Sequence, residues 1–221
     1  MCGRFTLTVT EDQLKMRFGV EEIPFDYQPR YNIAPGQMLT AVIQHEGQKR
    51  LGQLKWGLVP FWAKDASIGY KTINAKSETV AEKPAFKNAF QRKRCLIPAD
   101  GFYEWQKSAS GKQPMRILLK DREIFTMAGL YDTWTSPEGE KLHTCTILTT
   151  KPNPLVSEIH DRMPVILRRE DEGLWLDREH FDSDLLHSLL TPYSEDEMFS
   201  YPVAAMVGHV KNELPECIAE I

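Results

Sequence analysis

No two of the four cysteines (Cys2, Cys95, Cys145, Cys217) stand within fifty residues of each other except Cys95 and Cys145, which are fifty apart. Neither a zinc knuckle nor a redox CxxC pair can be assembled from neighbours, and a disulfide scaffold is not expected at this size. The six histidines (45, 143, 160, 180, 187, 209) include no HxH, HxxxH or HExxH spacing, so the reading predicts no metal and no cofactor. No apolar run approaches the roughly 20 residues that span a membrane. The start Met1-Cys2-Gly3-Arg4-Phe5-Thr6 lacks a basic stretch followed by an apolar segment. The expectation is therefore no secretory signal and a reducing cytoplasm. Excess positive charge is absent too: 27 Lys and Arg against 31 Asp and Glu give a net charge of −4, which excludes a histone-like binder acting through bulk charge. Repeats, linkers and low-complexity tracts are not found.

What is present is core-forming material. The 221 residues are 42% hydrophobic, with ten Phe, seven Tyr and five Trp, enough burial to exclude a disordered chain. Charge is segmented. Residues 83–122 carry ten Lys or Arg against three acids, whereas residues 170–221 carry two against thirteen. Short β-like runs are predicted at 39–44, 51–57, 95–99, 102–106, 115–119, 124–130, 144–150 and 164–167. Helical periodicity appears at 11–18 after a Thr10 cap, and at 79–91, 152–159, 170–176 and 183–190. Strands and helices do not alternate regularly, which disfavours a doubly wound parallel sheet and favours α+β.

Cys2 follows the initiator Met, and a small second residue is the kind whose preceding Met is removed. Excision would give a 1,2-aminothiol whose amine and thiol titrate near pH 8 and 8.5, both partly nucleophilic at neutral pH. Such a group can attack an amide with its own amine as base. It can also condense with an aldehyde to a Schiff base that the thiol closes into a thiazolidine. Cys95 and Cys145, in apolar stretches, read as buried inert thiols.

Glu104, in Gly101-Phe102-Tyr103-Glu104-Trp105, is flanked by aromatics. Its carboxyl is either a general acid/base of raised pKa or, on an alternating strand, a residue facing water. His160, in His160-Asp161-Arg162-Met163-Pro164, is a proton shuttle whose state Asp161 or Arg162 would set, or a structural histidine. Asn74 either holds a substrate through its amide or caps a helix starting near Ser77. Phe61 and Trp62 stack on bases if exposed and are core if buried.

Taken in order, Met1-Cys2-Gly3-Arg4-Phe5, Arg30-Tyr31-Asn32-Ile33-Ala34-Pro35-Gly36, Trp56-Gly57-Leu58-Val59-Pro60, Asn74-Ala75-Lys76-Ser77-Glu78-Thr79, Gly101-Phe102-Tyr103-Glu104-Trp105 and His160-Asp161-Arg162-Met163-Pro164 resemble the motifs of the SOS response-associated peptidase (SRAP) family of abasic-site processing proteins. The resemblance runs from residue 2 to about residue 217.

The resemblance implies one α+β domain over residues 1–221, with antiparallel, barrel-like β-sheets flanked by helices. It implies binding of single-stranded DNA and a covalent thiazolidine crosslink between Cys2, freed of Met1, and the aldehyde of an abasic site. By carry-over, Glu104 assists sugar ring opening and proton transfer, and His160 acts on the sugar oxygen and on crosslink reversal. Asn74 holds Cys2 and the sugar in register, which is a positioning effect. Arg4, Asn32, Phe61, Trp62 and Lys76 would contact DNA. The implied protein is a monomer, cytoplasmic and nucleoid-associated when on DNA, with no membrane partner. Lys76 stands where the family usually has Arg, losing a bidentate fork, and His209 where it more often has Asn. Two other readings use the same residues: an N-terminal-nucleophile hydrolase acting on peptides or amides, and a non-catalytic reader of modified DNA bases working through Phe61, Trp62 and the basic stretch.

Overall fold

The computed structural model describes residues 2–108, 111–179 and 181–221. Its strands are β1 (Phe5–Leu7), β2 (Arg30–Ile33), β3 (Met38–His45), β4 (Gln48–Trp56), β5 (Asn74–Lys76), β6 (Arg94–Ala99), β7 (Gly101–Ser108), β8 (Gly111–Leu119), β9 (Phe125–Thr135), β10 (Lys141–Thr150), β11 (Met163–Pro164), β12 (Ile166–Leu167) and β13 (Met198–Pro202). Helices are short: α1 (Glu11–Phe18), α2 (Lys87–Arg92), α3 (Pro154–Ser157), α4 (Glu172–Leu176) and α5 (Ser183–Ser188). No helix among the described residues is long and apolar enough to cross a membrane.

One antiparallel sheet has the order β13-β8-β7-β1-β2. In the second, the path β10-β4-β3-β6-β9 returns to its start because β9 pairs with β10, giving a closed five-stranded barrel. Closure removes the unpaired edges that an open sheet must protect. The one parallel seam of this barrel joins β4 to β10, with Lys55 opposite Thr144 and Trp56 opposite Cys145. The same edge of β10 then passes to β5, placing Asn74 opposite Ile147 and Lys76 opposite Thr149. An α+β barrel fold flanked by helices is thus what the chain forms.

Both sheets share a core. Phe5 on β1 meets Trp56 on β4 edge to face, with ring centroids 5.3 Å apart. Each is essentially buried, and burying such a side chain is worth roughly 2–3 kcal/mol. The first sheet is covered on its other face as well: Tyr103, Leu118, Tyr201, Val203, Val207 and Cys217 form a second cluster under the C-terminal segment. Strand β7 is consequently dry on both faces from Gly101 to Glu104.

The Thr10 cap forms as expected: the Thr10 hydroxyl accepts from the Gln13 N–H while the Gln13 side chain accepts from the Thr10 N–H, a reciprocal capping box. The helix expected at 79–91 is corrected. Pro84 interrupts it, leaving a single turn at Ser77–Thr79 and α2 from Lys87. The basic stretch is also partly consumed inside the fold. Arg94 is buried against the carbonyls of Trp175, Phe90 and Gln91, Arg116 pairs with Asp100, and Lys93 pairs with Asp132 at 2.6 Å.

Candidate active site

Strand β1 carries Cys2 into the fold. Phe5 pairs with Phe102, and the Tyr103 N–H donates to the Arg4 carbonyl at 2.9 Å, so the start of the chain runs antiparallel along β7. Cys2 is fully buried, and burial pushes its thiol well above the usual thiol range, with the charge of Glu104 acting in the same direction. With Met1 in place, burial thus works against the partly ionised thiol expected of the freed aminothiol. Cys95 and Cys145 are buried thiols, as read from the sequence, and burial raises them also.

Glu104 faces the same side of β7 as Phe102, since strand side chains repeat every second residue. That side is the core. Glu104 is 2% exposed, so the solvent-facing alternative is overturned. Burial pushes its carboxyl up to about 8, and Oε1 is buried with no hydrogen-bond partner. A carboxylic acid kept neutral near pH 7 is a proton donor.

His160 is the group facing it, with Nε2 3.9 Å from Glu104 Oε2. Burial lowers the imidazole pKa. The Arg162 backbone N–H lies 3.1 Å from Nδ1 and requires that nitrogen to accept. The Asp161 carboxylate, also 3.1 Å from Nδ1, and the Arg162 carbonyl oxygen, 3.3 Å from it, favour a proton there instead.

Arg162 holds this loop in place. Its guanidinium donates to both Glu78 carboxylate oxygens at 2.6 and 2.9 Å and to the Thr149 carbonyl at 2.6 Å. Glu78 lies just beyond β5, the strand that carries Asn74. Asn74 does not cap the turn at Ser77. Its Nδ2 donates to the Ile147 carbonyl at 3.4 Å, and its Oδ1 is buried without a partner. The structure thus brings Glu104 and His160 together, leaves Cys2 within reach of the Glu104 charge, and ties the Asn74 strand to the His160 loop through Glu78, a residue to which the sequence gave no role.

The expected DNA-contact residues fall into two groups. Phe61 and Trp62 are 52% and 48% exposed, which excludes the core alternative for this pair. Their loop is pinned: Asp132 accepts from the Phe61 N–H at 3.0 Å, the Thr144 hydroxyl from the Val59 N–H at 2.8 Å, and Trp134 donates to the Ala63 carbonyl at 2.7 Å. Lys76 is exposed. Arg4 and Asn32 are buried and bonded to each other at 2.8 Å. Arg4 also donates to the Val207 carbonyl, and Asn32 to those of His209 and Asn212. A cleft of about 340 Å3 lies between Pro35, Trp56 and the turn at Ala66–Lys71, away from Glu104. Among the described residues no three His, Cys, Asp or Glu side chains converge as a metal would need.

Buried Glu104, His160 opposite it and Cys2 within reach of its charge thus form a cluster of three titratable groups around the start of the chain. Residues 1–210 match the family model described as SOS response associated peptidase (SRAP), and the chain belongs to that family. It is 50% identical over 221 residues to the abasic site processing protein YoqW of Bacillus subtilis (strain 168), with 99% of each chain covered. It is 32% identical over 266 residues to the abasic site processing protein HMCES of Xenopus tropicalis, covering 100% of this chain and 78% of that one. A crystal structure of a protein from Bacteroides thetaiotaomicron matches with a TM-score of 0.90 at 28% identity, both chains covered completely.

Proposed function

We propose that the protein processes abasic sites in single-stranded DNA by forming a covalent thiazolidine through Cys2. Two relatives of this chain carry the name abasic site processing protein. The observation that carries the reading is Glu104 itself, buried, with Oε1 unpartnered and His160 3.9 Å from Oε2, and with its charge acting on the Cys2 thiol.

Hydrolysis of the Met1–Cys2 bond frees the α-amine. The amine, not the protonated thiol, attacks the ring-opened aldehyde of the abasic sugar. Glu104 donates a proton to the oxygen as it leaves, so amine and aldehyde give a protonated imine, one water and the Glu104 carboxylate. That carboxylate then accepts the thiol proton while sulfur adds to the iminium carbon and the nitrogen keeps its one hydrogen, closing the ring with no net oxidation. His160 protonates or orients the sugar oxygen and, by the reverse steps, supports release. Asn74 Oδ1, buried and unpartnered, accepts from the amine and holds it on line. Exposed Phe61 and Trp62 stack on bases and Lys76 meets phosphate. Arg4 and Asn32 brace β1 from beneath. The protein acts as a monomer.

Uracil-containing single-stranded DNA treated with uracil-DNA glycosylase is the test substrate. A denaturation-resistant adduct is expected from the wild type and none from Cys2→Ala. Intact mass shows loss of the Met1 residue in the reactive protein. Absence of an adduct with the wild type overturns the proposal, and turnover of a generic peptide in its place selects the hydrolase reading.

A further inference from the structure

We propose that the turn leading to His160 is an arm held at its root by Asn153 and near its tip by Gln106, two positioning residues that set the His160 backbone against β7. Asn153 is buried, and each of its polar atoms is used. Its Oδ1 accepts from the Val156 N–H at 2.8 Å, which caps α3. Its carbonyl accepts from the Ser157 N–H at 2.9 Å. Its own N–H donates to the Met163 sulfur at 3.3 Å, and its Nδ2 donates to the Tyr193 carbonyl at 2.8 Å and the Met198 sulfur at 3.3 Å.

A buried amide paired at every atom is fixed in one orientation, because turning it strands each donor and acceptor without water to replace the partner. Asn153 is therefore a firm root. Its bond to Met163 also draws the far end of the His160 loop back to the start of the same loop. From the root to His160 there is one further link. The Val156 carbonyl accepts from the Ile159 N–H at 2.9 Å and from the His160 N–H at 2.8 Å, so the His160 backbone follows wherever the capped turn is placed.

The other end of the arm is tied to the strand that carries the facing acid. Gln106 lies two residues beyond Glu104 on β7 and projects from the same face. Its Nε2 donates to the Glu158 carbonyl at 3.1 Å, two residues before His160. One face of β7 thus presents the acid that stands 3.9 Å from His160 and the amide that holds the His160 arm at that range. Asn153 and Gln106 act through backbone alone and leave the protonation of the ring to its own contacts. The catalytic consequence rests on the proposed function, but the hold on the arm does not.

The experiment is amide hydrogen exchange by NMR, without DNA, on the wild type, Asn153→Ala, Asn153→Ser and Gln106→Ala, with the Ile159 and His160 rates taken relative to those of the β9 amides. Asn153→Ala removes the cap and is expected to raise the relative rates about 10-fold. Asn153→Ser keeps a capping oxygen and is expected to return them toward wild type. Gln106→Ala, at a half-buried position outside the core, is expected to stay folded and to raise them about 3-fold, the effect of one hydrogen bond. A residue that served stability alone would speed the β9 amides at least as much. In parallel, adduct formation at saturating abasic single-stranded DNA should slow about 10-fold in Asn153→Ala with DNA affinity unchanged, because a displaced group costs rate and not binding. Asn153→Ser should recover most of that rate. Unchanged relative exchange in Gln106→Ala overturns the proposal, as does equal speeding of β9 and loop amides in Asn153→Ala. Should Asn153→Ala not fold, loop exchange in Asn153→Ser raised as far as 10-fold overturns it too, since the cap would then not be what holds the arm. If the wild type gives no adduct while exchange responds as stated, the functional reading falls and the arm stands.

Discussion

Glu104 and His160 face each other across 3.9 Å, and burial moves them in opposite directions, the carboxyl up to about 8 and the imidazole down. Between those two titrations both groups are neutral. The pair avoids a buried charge, at the cost of a pH ceiling.

That ceiling gives the first prediction. Glu104 binds its proton more tightly folded than unfolded, so its contribution to stability is whole below the ordinary carboxyl range and is lost as pH rises through about 8. Each unit of the shift corresponds to about 1.4 kcal/mol. Glu104→Gln should therefore gain stability relative to wild type as pH is raised from 5 to 9, read by urea denaturation. Adduct formation by the wild type should fall over the upper part of the same range as the acid is lost. A stability difference between the two proteins that does not change with pH would contradict the assignment.

Phe61 and Trp62 offer a second test. Replacing either with Ala removes one stacking surface, worth about 1–3 kcal/mol per base. Affinity for single-stranded DNA should fall accordingly, measured by anisotropy, while the melting temperature barely moves because both rings are exposed. Duplex DNA should compete poorly. Unchanged affinity in both variants would remove the pair from the DNA surface.

Asp132 should behave as the anchor of that loop. It is buried and accepts from Lys93 at 2.6 Å, from the Phe61 N–H at 3.0 Å and from the Thr133 N–H at 2.8 Å. Asp132→Ala is expected to destabilise the fold by about 1–3 kcal/mol and to speed hydrogen exchange at the Phe61 amide. Wild-type exchange there would mean that Thr144 and Trp134 suffice to hold the loop.

Gly57 is a fourth case, where backbone meets backbone. Its φ is 128°, and a Cβ would lie 2.6 Å from the Gly69 carbonyl oxygen. Gly57→Ala combines a disallowed conformation with a contact no rotamer can relieve, and strain of this kind costs roughly 1–3 kcal/mol. Thermal melting should show the loss. A melting temperature equal to that of the wild type would contradict the close approach.

The long strands were legible because branched and aromatic runs bounded by turn residues mark them directly. Predicted runs at 124–130 and 144–150 became Phe125–Thr135 and Lys141–Thr150, extended into a hairpin tip where burial alternates and the apolar signal fades. Strands β1 and β5 were missed since three residues carry no period. Glu104 was ambiguous for a tertiary reason. Alternation decides which side of β7 it faces, but only the C-terminal segment, folded over the other face, makes that strand dry on both sides. The Glu78–Arg162 pair was invisible because it joins residues 84 apart in sequence. Local pattern names the groups and leaves their meeting to topology.

The pairing of β1 with β7 also sets a clock. β1 can pair with β2 early, but its other edge stays open until Gly101–Ser108 has been made. At roughly 5–20 residues per second of synthesis, about a hundred residues take on the order of 5–20 s. During that interval the Met1–Cys2 bond is open to any peptidase that meets the nascent chain. Once β1 docks on β7, the Cys2 side chain is enclosed within the fold.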